Sequence, residues 1–119
     1  MRVWYDPWMR GDLDILPLGG VALSAVAVVL ADAFHEDGRN GVDEWHGLLE
    51  REVESSRLDL EHSCIARVDQ NVVGACLVNL GPDGRGRIGP TGVSSSVHRS
   101  GIGTRLVAAA KRALASAGI

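Results

Sequence analysis

Apolar and polar positions alternate with three different rhythms along this chain, and each rhythm predicts an element. Over residues 21–34 almost every position is apolar, with alanine and leucine frequent; a run of 14 is too long for an ordinary strand and predicts a buried helix. Over residues 42–57 the apolar side chains Val42, Trp45, Leu48, Leu49 and Val53 recur at helical spacing between charged ones. Asp43 and Glu44 fall in the first turn, where acids complement the helix dipole, so this is an amphipathic helix with one buried face. Residues 63–68 and 72–80 read as strands, and Asp69, Gln70 and Asn71 between them as a tight turn, which together make a β-hairpin. With that turn centred near Gln70, Cys64 and Cys76 fall opposite each other.

A second turn over residues 81–86 leads into a short glycine-rich strand at 87–93. The last element is a helix over residues 102–117. Ile102, Leu106, Val107, Ala110, Leu114 and Ala117 form its stripe, and Gly118 its cap. Residues 14–19 predict a first strand that Pro17 confines to a sheet edge or strand end. The order is β-α-α-β-β-β-α, an α/β (α+β) chain. Residues 1–13, with Trp4, Tyr5 and Trp8, read as an irregular segment before a domain at 14–119.

Composition narrows the functional classes. A length of 119 residues suits one domain, and 45% apolar content gives it enough surface to bury. The net charge of −3 argues against nucleic acid as the main partner. The charge is unevenly spread: residues 1–60 hold 12 acidic and 5 basic side chains, and residues 61–119 hold 3 acidic and 7 basic. The basic half suits an anionic small molecule, although solvated helix faces give the same count. The apolar stretch at 15–30 is too short and too broken by Pro17, Gly19 and Gly20 to span a membrane. Asp6, Asp12 and Asp14 precede it where a signal peptide needs cations, so it is expected in the core.

Two cysteines are too few for a disulfide framework or a four-cysteine metal site, and they point to a reducing, cytoplasmic setting. A cross-strand Cys64–Cys76 bond and a pair of adjacent reduced thiols both fit the hairpin. His35, His46 and His62 have Glu36, Glu44 and Glu61 nearby but no metal-ligand spacing; all three read as solvated, and no metal site is expected. Trp45 reads as core packing rather than the wall of an amine pocket.

The candidate chemistry lies between the last strand and the last helix, at residues 93–104. A helix N-terminus leaves backbone N–H groups free, and a phosphate wants several of them. Gly101 and Gly103 let phosphate oxygens approach the backbone; Ser100 and Thr104 add hydroxyl donors and Arg99 a charge. The segment lacks the Gly-Lys-Ser/Thr ending of a P-loop. It also lacks the third glycine of the dinucleotide fingerprint, since Arg105 and Leu106 follow Gly103 and Thr104.

Residues 88–107 and the Ala/Leu helix after them resemble the acetyl-CoA-binding core of the GNAT superfamily of N-acetyltransferases. The family pattern is a strand with an apolar end, a short loop, and Gln or Arg-x-x-Gly-x-Gly or Ala opening a long helix. Val93 stands eight residues before Gly101, as that pattern expects, and His98 occupies the Gln/Arg position. The resemblance implies a mainly antiparallel mixed sheet with flanking helices. Main-chain groups around Val93 would pair with the pantetheine arm of acetyl-CoA, and His98, Arg99, Ser100, Gly101, Ile102, Gly103 and Thr104 would hold the pyrophosphate. The implied reaction moves an acetyl group to a primary amine of a small molecule or protein.

The family fold continues with a further strand, a helix and a strand pair, which also supply the usual tyrosine acid. The resemblance therefore implies a partial domain here, completed by a homodimer or partner chain. No catalytic acid or base is assigned: Tyr5 lies in the irregular segment, the strands at 63–68, 72–80 and 87–93 carry no Asp or Glu, and His98 reads as loop surface. A non-catalytic acyl-CoA-binding remnant is the alternative, and a different nucleotide-binding α/β protein is disfavoured by the antiparallel hairpin.

Overall fold

The computed structural model describes residues 13–20, 23–34, 41–68, 70–97 and 101–119. Four strands form one antiparallel sheet in the order β1 (Leu13–Pro17), β2 (Cys64–Val68), β3 (Asn71–Leu80) and β4 (Gly86–Val93). The helices are α1 (Leu23–Ala33), α2 (Val42–Glu54) and α3 (Ile102–Ala117), so the chain runs in the expected β-α-α-β-β-β-α order. No helix of the described residues is long and apolar enough to cross a membrane.

The period-2 alternation of the strands decides which helix covers which face. Cys64, Ala66, Cys76 and Val78 point to the face under α3 and pack with Ile102, Leu106, Ala110 and Leu114. Ile65, Ala75 and Leu77 point the other way and meet Val26, Ala27 and Leu30 of α1 and Trp45 and Leu49 of α2. The apolar stretch at 15–30 is thus divided between β1, a 3-10 turn at Leu18–Gly20 and α1, and it contributes to that second cluster.

Two differences from the sequence expectation have local causes. The second helix ends at Glu54, short of residue 57, because Ser56 takes a left-handed φ of +62° that a continuing helix cannot accommodate. Its start is fixed by the Gly41 N–H donating to the Glu44 carboxylate at 2.8 Å. The third strand begins at Asn71, directly after Gln70, whose φ of +75° makes the hairpin turn.

β4 closes the sheet on one side, and its pairing with β3 is interrupted. Cys76 faces Thr91 and Val78 faces Ile88, so Gly89 and Pro90 together stand opposite Leu77. This is a β-bulge at a sheet edge, a position that tolerates a proline with no N–H to donate. Close packing holds the strand end in place. A Cβ on Gly92 would lie 2.9 Å from the Ala33 Cβ, and one on Gly74 would lie 2.9 Å from the Leu106 Cδ1. Both α1 and α3 therefore sit directly on the backbone of the sheet where β4 ends.

Candidate functional site

The Ser94 N–H donates to the Val73 carbonyl at 2.7 Å, which makes these two residues a hydrogen-bonded pair. Along an antiparallel ladder such pairs alternate with non-bonded ones. Gly92 opposite Ala75 is then bonded, whereas Val93 opposite Gly74 and Thr91 opposite Cys76 are not. The N–H and C=O groups of Thr91 and Val93 consequently point away from β3. Among the described residues no strand pairs on that side.

The chain after β4 turns through a 3-10 segment, Ser95–Val97, and Val97 is fully buried beneath α3. Asp32, in the last turn of α1, holds this segment. Its carboxylate accepts from the Ser95 N–H at 2.8 Å, the Ser95 hydroxyl at 3.2 Å and the Ser94 hydroxyl at 3.3 Å. Sequence reasoning passed over Asp32. The signal was there: an acid in the last turn of a helix opposes the dipole and so points to a partner elsewhere.

Gly101 caps α3 with φ +84° and no atom where its Cβ would be, a conformation that glycine adopts without the left-handed penalty. The first helical bond runs from the Arg105 N–H to the Gly101 carbonyl at 3.1 Å. The N–H groups of Gly103 and Thr104 precede it and have no acceptor within the helix. Gly103 stands beside Val93: its Cβ position is 3.6 Å from a Val93 methyl. The helix start and the outward edge of β4 are therefore neighbours. A groove of about 450 Å³ runs between them, lined by Thr91, Gly103, Thr104, Val107, Ala108 and Lys111. No acid stands in the first turn of α3, while Arg105 is exposed there. A cation at a helix N-terminus opposes the usual preference, and an anion bound between them satisfies both.

The structure thus brings Val93, Gly101, Ile102, Gly103 and Thr104 together. Ile102 contributes only through its backbone, because its side chain is fully buried against the sheet. His98, Arg99 and Ser100 lie outside the described residues, as do Tyr5 and His35.

One row of side chains links the groove to the core. Cys64, Cys76 and Thr91 are register partners across β2, β3 and β4. Both cysteines are free and buried. The Thr91 hydroxyl donates to the Cys76 sulfur at 3.3 Å, and the Cys64 thiol lies 3.4 Å from the Leu106 carbonyl. Hydrogen bonding from Cys64 draws the Cys76 pKa down to about 6; burial opposes this and the Thr91 hydroxyl assists it. Cys64, as donor to Cys76 in a buried site, is held well above the ordinary thiol value of 9.0. With a lowered folded-state value, Cys76 adds stability as pH rises from about 6 to 9.0, and its contribution is lost as pH falls through about 6. Cys64, raised, has the opposite sign above 9.0, so the pair favours the folded chain most near that pH. Thr91→Val removes one donor to the sulfur. The midpoint followed by thiolate ultraviolet absorbance is expected to move up from about 6.

The histidines need one correction. His62 is not solvated: its ring Nδ1 is 2.6 Å from the Asp59 carboxylate, and only 16% of its side chain is exposed. A turn after α2 produces this, with Asp59 also accepting the N–H groups of Glu61 and His62, whereas adjacency in the sequence points to Glu61. His46 is exposed enough to face solvent beside Glu50. Among the described residues no group of His, Cys, Asp and Glu could hold a metal. Trp45 is buried against Phe34, ring centroids 5.8 Å apart, as core packing requires.

Comparison with known proteins bears on the fold and the family. The model of the acetyltransferase (GNAT) family matches residues 26–119. No curated protein matches. Among solved structures, a GNAT family acetyltransferase from Brucella melitensis in complex with acetyl-CoA is 21% identical, with a TM-score of 0.73 over 89% of this chain and 70% of that one. Aminoglycoside N-acetyltransferase AAC(6')-Iy in complex with CoA is 19% identical, with a TM-score of 0.67 over 92% of this chain and 74% of that one. The PaiA N-acetyltransferase from Thermoplasma acidophilum in complex with coenzyme A is 13% identical, with a TM-score of 0.65 over 90% and 74%.

Proposed function

This chain belongs to the GNAT acetyltransferase family, and from that premise we propose that it binds acetyl-CoA along the free edge of β4 and passes the acetyl group to a primary amine. The observation that carries the reading is one adjacency. Outward main-chain groups of Thr91 and Val93 lie next to the Gly103 and Thr104 N–H groups, which have no acceptor within the helix, and a Cβ on Gly103 would stand 3.6 Å from a Val93 methyl. A pantetheine arm carries amides that can pair with a strand edge, and it ends in a pyrophosphate that suits a helix N-terminus. His98, Arg99 and Ser100 complete the phosphate contacts in this reading, and residues 14–119 act as one unit.

In the transfer, a neutral amine nitrogen attacks the thioester carbonyl carbon. The N–C bond forms and the C–S bond breaks. The electron pair leaves with sulfur, and the proton shed by nitrogen ends on the thiol. The chain's own part is positioning: holding the arm in line along β4 and the pyrophosphate at α3. A second reading, CoA binding without transfer, draws on the absence of any Asp or Glu from β2, β3 and β4.

Calorimetry with CoA is expected to give micromolar or tighter binding. No detectable heat at millimolar CoA overturns both readings. Thiol release from acetyl-CoA with a panel of amines then separates them, since the first requires it and the second forbids it.

A further inference from the structure

The opposite end of β4 opens on a different hollow, of about 850 Å³, whose charged side chains the acetyl donor does not use. Glu52 near the end of α2, Arg57 just after it, Asn79 on β3 and Arg87 on β4 line it, with the turn after β3 as its floor. Glu52 and Arg57 approach to 3.8 Å and offset each other. Arg87 is exposed and has no ion-pair partner among the described residues. The cleft therefore presents one uncompensated guanidinium.

Its position relative to the groove is set by the sheet. Asn79 is the register partner of Arg87, and the two share the α2 side with Leu77. The Asn79 amide lies over the bulge, 2.8 Å from where a Cβ of Gly89 would stand. The next residues along the strand are Pro90 and then Thr91, which lines the groove on the α3 side. The two hollows thus reach β4 from opposite faces, one at Arg87 and the other at Thr91, with the bulge at Gly89 and Pro90 between them.

We propose that this cleft is the acceptor subsite and that Arg87 selects amines tethered to an anionic group, a carboxylate or a phosphate. The proposal rests on the acyl-transfer reading for its direction, since it assumes a thioester near Thr91. A guanidinium presents a fork of donors matched to either anion. Four strand steps separate Arg87 from Thr91, roughly 13 Å at about 3.3 Å per residue, and the extended arginine side chain covers part of that span. The tether must bridge the rest, so an α-amino acid is too short and an amine several carbons from its anion fits.

The test compares ε-aminocaproate, its neutral amide, aminohexyl phosphate and glycine as acceptors for the full chain with acetyl-CoA. The expected result is a kcat/KM for ε-aminocaproate about tenfold above its amide and above glycine, the scale of one charge-assisted hydrogen bond. Arg87→Gln is expected to bring the ε-aminocaproate value down to that of the amide. A better rate with aminohexyl phosphate than with ε-aminocaproate identifies phosphate as the anion. Equal rates for the charged and neutral acceptors, or a preference that survives Arg87→Gln, overturn the proposal and leave acyl transfer standing. If no amine releases thiol, acyl transfer falls and binding decides the rest. A shift of the Arg87 Nε–H resonance with ε-aminocaproate but not with its amide supports the anion site, and no shift with ε-aminocaproate or aminohexyl phosphate overturns it.

Discussion

Gly103→Glu is expected to weaken CoA binding by about a hundredfold or more while leaving thermal stability equal or slightly raised. The loss follows from electrostatics: a carboxylate placed among the Gly103 and Thr104 N–H groups repels a pyrophosphate about 4 Å away by a few kcal/mol at an effective dielectric near 20. It also occupies the donors the phosphate would use. The stability side follows from packing and dipole. A Cβ at this position meets only a Val93 methyl at 3.6 Å, an ordinary contact, so the helix has room for it. An acid in a first turn is worth about 0.3–1 kcal/mol, and replacing a helical glycine adds to that. Titration calorimetry and a melting curve on the same sample read both quantities. Binding equal to that of the unmodified chain would place the phosphate elsewhere.

Leu106→Ala is expected to remove about 2–5 kcal/mol of folding stability, the largest effect of any single truncation on the α3 face. Leu106 is fully buried, and its Cδ1 lies against Gly74, where the sheet has no side chain to fill a vacated space. Its neighbours Ile102 and Ala110 are anchored on the same stripe and cannot close the cavity without shifting the helix. The denaturant midpoint should fall with little change in slope, because the surface exposed on unfolding is nearly the same. A loss under 1 kcal/mol would mean that α3 resettles on the sheet, and the Gly103–Val93 neighbourhood would move with it.

The site was legible in the sequence where it depended on short-range signals. Gly101 and Gly103 between a strand and a helix pointed to exposed backbone donors, and the resemblance to the family pattern, with Val93 eight residues before Gly101, implied that the strand end stands by the helix start. Asp32 was not legible in that way, because it reaches Ser94 and Ser95 across 62 and 63 residues. That contact exists because α1 lies on Gly92 at the end of β4, and nothing local to Asp32 encodes it. His62 shows the same limit at shorter range, since its partner Asp59 is chosen by a turn rather than by adjacency.

By itself the sequence determined the element order and the centre of the buried stripes of α2 and α3, though Val42 and Ala117 at the ends of those stripes are exposed, as is Val28 in the all-apolar α1. It also determined the hairpin that sets Cys64 opposite Cys76 and the glycine loop that opens α3. Each of these follows from side-chain period or backbone permissiveness, which act within a few residues. Only the tertiary structure decided which backbone groups of β4 face outward. That depends on its pairing parity with β3 and on the bulge at Gly89 and Pro90. It also decided that Arg87 shares a cleft with Glu52, Arg57 and Asn79, because these come from α2, β3 and β4 and meet only when the helix packs on the sheet.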